Sequence, residues 1–114
     1  MEIVRTQVIH YVEDMAAAKR FYVEILGLKI IQDGGPHWLE LDAGGTSIAL
    51  HPGGTPRGRG RTGLSFAVED LESARDEVNA RGAGFGEVTN PHPGVTFCEA
   101  ADPDGNPVFL KPSR

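Results

Sequence analysis

Residues 8–22 read VIHYVEDMAAAKRFY, residues 63–78 read GLSFAVEDLESARDEV, and the second is a variation on the first. Each passes through alternating apolar residues to Val-Glu-Asp and then into a helical pattern, and the two lie about half a chain apart. Repetition at that distance predicts two copies of one supersecondary unit. In each copy the Asp (Asp14, Asp70) suits a helix N-cap, because its carboxylate accepts hydrogen bonds from backbone amides that the first turn leaves unpaired. Ala18, Phe21, Tyr22 and Ile25 fall on one face of a helix over 15–26, with Gly27 placed as a left-handed C-cap. Leu71, Ala74 and Val78 do the same for a helix over 71–81 that stops at Gly82.

Outward from these helices come short strand signals separated by Gly, Asp and Pro turns. They fall at 29–33, 37–42 and 46–51 in the first half, and at 84–89, 95–100 and 107–111 in the second. Each half therefore reads β-α-β-β-β. One helix per sheet covers one sheet face, which predicts an α+β domain with the other face of each sheet free.

A chain of 114 residues suits a single domain. Its two modules are expected at about 1–56 and 62–114, with a Gly- and Arg-rich linker over about 53–62. At 39% hydrophobic and 24% charged residues the composition is that of an ordinary soluble globular protein. A core of this size is small, so association with a second copy is expected. No apolar run approaches the roughly 20 residues that span a membrane, and the N-terminus lacks the basic-then-apolar pattern of a signal peptide. Cys98 is the only cysteine, which excludes an intramolecular disulfide and favours a cytoplasmic setting. The net charge of −5 argues against general affinity for nucleic acid. The local basic cluster Arg57, Arg59 and Arg61, spaced by glycines, reads as a solvated linker or as a contact for an anionic ligand or partner. There is no nucleophile elbow, P-loop or dinucleotide glycine motif.

The stretches VEDMAAAKRFYVEILGLKI (12–30), VEDLESARDEV (68–78) and DPDGNPVFL (102–110) resemble the vicinal oxygen chelate superfamily, which includes glyoxalase I, bleomycin and fosfomycin resistance proteins and extradiol dioxygenases. The resemblance spans the chain. It implies paired βαβββ modules whose mixed sheets curl around a cavity, helices on the outer face, and usually a homodimer. Strand parity then sorts side chains by face. Arg5, Gln7, Ile9 and Tyr11 turn to the cavity, as do Trp38, Glu40, Ser47, Ala49 and His51. In the second module the inward residues are Gly63, Ser65, Ala67, Phe97, Glu99, Phe109 and Lys111. Val8, His10, Val12, Ile48, Leu50, Leu64, Phe66, Val68, Val108 and Leu110 turn to the helices. His10 reads as a packed histidine, His37 and His92 as loop residues beside prolines, and Cys98 as a buried structural thiol.

The resemblance also implies a divalent metal held by His, Gln or Glu from four strands, with open positions for substrate oxygens. The matching positions here are Gln7, Ala49, Gly63 and Phe109. Three of these carry no donor atom, so the usual family metal is not expected. A displaced site made from Gln7, His51 and Glu99, with Glu40 alongside, is the alternative. Without the metal the cavity becomes more apolar, with space expected beside the fifth strand. Its ligand-binding residues are expected to be Gln7, Tyr11, Trp38, Ala49, Gly63, Ser65, Phe97 and Phe109.

Two functions follow as expectations. One is metal-free sequestration of an aromatic ligand, as in antibiotic resistance, with positive charge favoured by the inward Glu40 and Glu99. The other is a glyoxalase-like lyase, isomerase or dioxygenase, using the displaced metal or acid–base catalysis by Glu40, His51 or Glu99.

Overall fold

The structure is a computed structural model that describes residues 1–53 and 63–113. The linker arginines Arg57, Arg59 and Arg61 lie outside the described residues. The chain divides into two compact units, Met1–Pro56 and Arg57–Arg114. In the first, β1 (Gln7–Val12) leads into α1 (Met15–Lys19), a π-helical continuation (Arg20–Ile25), and then β2 (Lys29–Asp33), β3 (Leu39–Asp42) and β4 (Ser47–Pro52). In the second, β5 (Leu64–Val68) leads into α2 (Leu71–Ala80), β6 (Thr89–His92), β7 (Val95–Ala101) and β8 (Pro107–Pro112). Each unit forms a four-stranded mixed sheet, in the orders β1-β4-β3-β2 and β5-β8-β7-β6. The β1–β4 and β5–β8 pairs are parallel and the remaining pairs antiparallel. The protein is thus an α+β structure of two βαβββ modules.

Both caps form as the sequence predicts. Asp14 accepts a hydrogen bond from the Ala17 amide at 3.1 Å, and Asp70 from the Ser73 amide at 3.0 Å. Gly27 and Gly82 close the helices with φ of 85° and 97°, a conformation that glycine adopts without a side-chain clash. The first helix departs from expectation in its last turns. Leu26 N–H donates to Phe21 O at 2.9 Å, five residues back, which makes the predicted α-helix a π-helix from Arg20 onward. Phe21 and Tyr22, adjacent in this wider turn, are both buried with their rings edge to face.

Apolar residues between helix and sheet form the core of each unit. The first packs Val12, Ala18, Tyr22, Leu39, Leu41, Ile48 and Leu50, with His10 buried against Tyr22. The second packs Leu64, Leu71, Val78, Phe85, Cys98, Val108 and Leu110. Val8, expected on the helix side, stays 38% exposed near the start of edge strand β1. Among the described residues no helix is long and apolar enough to cross a membrane.

The strand predicted over 84–89 is a correction. Phe85 is buried but lies outside any strand. Its N–H donates to Asn79 Oδ1 at 2.7 Å, and Asn79 Nδ2 donates back to Phe85 O at 3.0 Å. Arg75 Nε takes the Gly86 carbonyl at 2.6 Å. Side chains of α2 thus satisfy backbone groups that a strand neighbour would otherwise pair, and β6 begins only at Thr89.

Candidate functional site

The face of the first sheet opposite its helix is set by register. Gln7 pairs with Ser47, Ile9 with Ala49 and Tyr11 with His51, while Glu40 lies beside Ala49 on β3. Parity had assigned these residues to one face, and they share it. Gln7 Nε2 donates to Glu40 Oε1 and to Ser47 Oγ, each at 2.8 Å. Arg5 Nη1 donates to the same Glu40 oxygen at 3.1 Å. Glu40 is only 5% exposed, and a carboxylate so placed needs such partners. At the other end of the face, His51 lies edge-on to Tyr11 (5.6 Å between ring centroids) and to Trp38 (6.0 Å). His51 Nδ1 donates to Pro52 O at 2.6 Å; because a carbonyl only accepts, that nitrogen carries the proton.

The corresponding face of the second sheet has another character. Ser65 pairs with Phe109, and Phe109 with Glu99. Cys98 pairs with Leu110 and Ala67 with Lys111, which sets Phe97 beside Lys111. The Phe97 and Phe109 rings meet edge to face, 5.6 Å apart at 83°. They line a cleft of about 470 Å³ together with Ser65, Lys111, Pro112 and the Gly94–Thr96 stretch. Asn90 Nδ2 donates to Thr96 Oγ1 at 2.8 Å and ties the β6–β7 hairpin at the edge of this cleft.

The cleft borders β5 at Ser65, while the space next to Gly63 itself is tight. A Cβ built on Gly63 would lie 3.3 Å from Phe109 Cε2 and 3.3 Å from Pro107 Cγ. The ring of Phe109 and the Pro107 pyrrolidine occupy the space a side chain at 63 would enter. The glycine makes room for the ring.

Of the residues expected at a displaced metal site, Gln7 and His51 are spread along one sheet. Gln7 and His51 sit four register pairs apart along β1 and β4, roughly 13 Å at about 3.3 Å per residue. Glu99 belongs to the second sheet, where it is exposed beside Phe109. Ala49, fully buried, is flanked by Ile9 and Glu40. Among the described residues no three His, Cys, Asp or Glu side chains gather closely enough to hold a metal ion.

Cys98 and Asp33 are shifted, and neither belongs to these faces. Burial pushes the Cys98 thiol up, despite the opposing charge of Arg75. The hydrogen bond from Lys19 at 3.0 Å holds the Asp33 carboxyl below its ordinary value, helped by the Gly35 amide.

Parity reasoning missed the Gly94–Thr96 stretch and Pro112 as cleft residues. The Pro-His-Pro-Gly run at 91–94 signals a turn, but a turn signal does not say which sheet face the hairpin borders.

A sequence profile of the Glyoxalase/Bleomycin resistance protein/Dioxygenase superfamily matches residues 5–110. The chain belongs to that superfamily. It is 31% identical over 109 residues to the uncharacterized protein YetH of Bacillus subtilis (strain 168), covering 89% of this chain and 91% of YetH. TnmS3, an antibiotic binding protein from Streptomyces sp. CB03234, superposes with a TM-score of 0.80 at 27% identity, covering 99% of each chain. Lactoylglutathione lyase from Agrobacterium tumefaciens superposes with a TM-score of 0.76, covering 95% of this chain and 92% of that one. At 16% identity the lyase shares the fold alone.

Proposed function

We propose that this superfamily member is a metal-free binding protein that sequesters an aromatic small molecule. The observation that carries the reading is the cleft of about 470 Å³ lined by the edge-to-face pair Phe97 and Phe109. That volume lies within the roughly 300–1,000 Å³ of small-molecule sites, which are mostly apolar with sparse polar points. Sequestration needs affinity and no chemistry, so donor-free residues at Ala49, Gly63 and Phe109 are no handicap. An antibiotic-binding relative, TnmS3, supports the same reading and makes resistance by sequestration its natural role.

The enzyme reading draws less support. His51 and Gln7 are too far apart to share an ion, and Glu40 Oε1 already accepts from Arg5 and Gln7. We further infer a homodimer, because Ile9 and Tyr11 on the open face of the first sheet are 43% and 56% exposed. The free, buried Cys98 fits a reducing, cytoplasmic compartment.

The test is calorimetric titration of the purified, untagged protein with a panel of aromatic antibiotics, followed by recovery of each compound. Saturable binding with the compound recovered unchanged, weakened about tenfold or more in Phe109→Ala, is the expected result. Turnover of the compound, or one tightly held divalent ion per chain by elemental analysis, overturns the proposal.

A further inference from the structure

The sequence alone favours a cationic ligand, on the strength of two inward carboxylates. Their placement removes that argument. Glu40 lies on the first sheet, where Arg5 and Gln7 both donate to its Oε1. Glu99 lies beside Phe109 on β7, exposed, and is not among the residues that line the cleft. Among the described residues the cleft has one charged lining residue, and it is a cation: Lys111.

From this we infer that the cleft of the second unit selects aromatic compounds that carry a negative charge, such as an aromatic carboxylate or phenolate. The inference rests on the sequestration reading and names the ligand class for that site. Four features support it. First, Lys111 forms no ion pair among the described residues, so its ammonium is available. Second, register places it two residues beyond Phe109 on the same strand and beside Phe97, so its aliphatic stem continues the apolar wall while the ammonium reaches toward solvent. Third, the Ser65 hydroxyl, across the strand pair from Phe109, is a further donor for an oxyanion. Fourth, among the described residues no acidic side chain lines the cleft, and Glu99 only borders it beside Phe109. A flat ring packed on Phe97 and Phe109 thereby brings a substituent charge within reach of Lys111, and a hydrogen bond between charged partners is about twice as strong as a neutral one.

The experiment uses three probes of one shape: 2-naphthoate, 2-naphthamide and 2-naphthylmethylammonium. Each is titrated into the whole protein at low salt and followed by chemical-shift changes of backbone amides. The expected result is that naphthoate binds about tenfold tighter than naphthamide, with shifts centred on residues 94–97 and 109–111. Lys111→Met should reduce naphthoate to the affinity of naphthamide, and Lys111→Arg should restore it. Equal affinities for the three probes, or a preference for the ammonium, overturn the anion inference and leave sequestration standing. Retained naphthoate preference in Lys111→Met overturns the role of Lys111. Failure of all three to bind overturns both the inference and the sequestration reading beneath it. Lys111 is exposed, so loss of fold in the variants is not expected, and an unchanged amide spectrum checks it.

Discussion

The open face of the first sheet and the open face of the second grow from the same β-α-β-β-β plan, yet their polar groups are used in opposite ways. On the first, Gln7, Glu40, Ser47 and Arg5 bond to one another, and the polar end of the face is internally satisfied. On the second, the aromatic rings of Phe97 and Phe109 take each other as partners, and Lys111 is left without an ion pair among the described residues. A polar group that already has its partners rigidifies its own sheet; one without them is available to a ligand. Counting charged residues along the sequence treats Glu40 and Lys111 alike, and the hydrogen bonds separate them.

The comparison rests first on two equivalent cores. Leu50→Ala in the first unit and Leu110→Ala in the second should each cost about 2–5 kcal/mol in urea unfolding, because each deletes a buried side chain on the helix side of its sheet. A cost under about 1 kcal/mol on either side would show that core to be packed otherwise than described. The next effect sets the two open faces against each other. Gln7→Ala removes donors from Glu40 and Ser47 together and should destabilise by about 1–3 kcal/mol, whereas Ser65→Ala should stay within about 0.5 kcal/mol. Equal costs would erase the distinction between a satisfied face and an available one. Smaller still is the contribution of the shared caps, about 1 kcal/mol each for Asp14→Ala and Asp70→Ala. A large inequality between these two would mean that one helix depends on its cap and the other on packing.

The smallest effect belongs to the first unit's exposed Lys19–Asp33 contact. Because the folded carboxyl of Asp33 titrates below its unfolded value, its contribution is present above the usual carboxylate range and is lost as pH falls through the folded pKa. The difference in urea midpoint between wild type and Asp33→Asn should therefore be constant near neutral pH and shrink in acid. A difference that grows in acid would contradict the assignment.

Much of this was legible because it is local or periodic. Asp14, Asp70, Gly27 and Gly82 announce the helix ends, and alternation along each strand correctly grouped Gln7, Glu40 and Ser47 on one face. What alternation cannot show is who bonds to whom across 33 or 40 residues of chain, as in the Gln7 contacts. It also mistook 84–89 for a strand, since Phe85 and Gly86 carry an extended pattern while Asn79 and Arg75 take their backbone groups from the helix side. The cleft was half visible: Phe97, Phe109, Ser65 and Lys111 followed from parity, but the hairpin bordering them depends on where a turn comes to rest.

The contact between Gly63 and the ring of Phe109 ties two positions 46 residues apart in sequence into one unit of change. A larger side chain at 63 would begin its path 3.3 Å from Phe109 Cε2 and from Pro107 Cγ. Such a side chain requires the phenyl ring and the pyrrolidine to give by a few tenths of an ångström, while loss of the ring alone opens a void. The two positions are coupled: a change at either is felt at the other, and the cost of altering both is not the sum of the two.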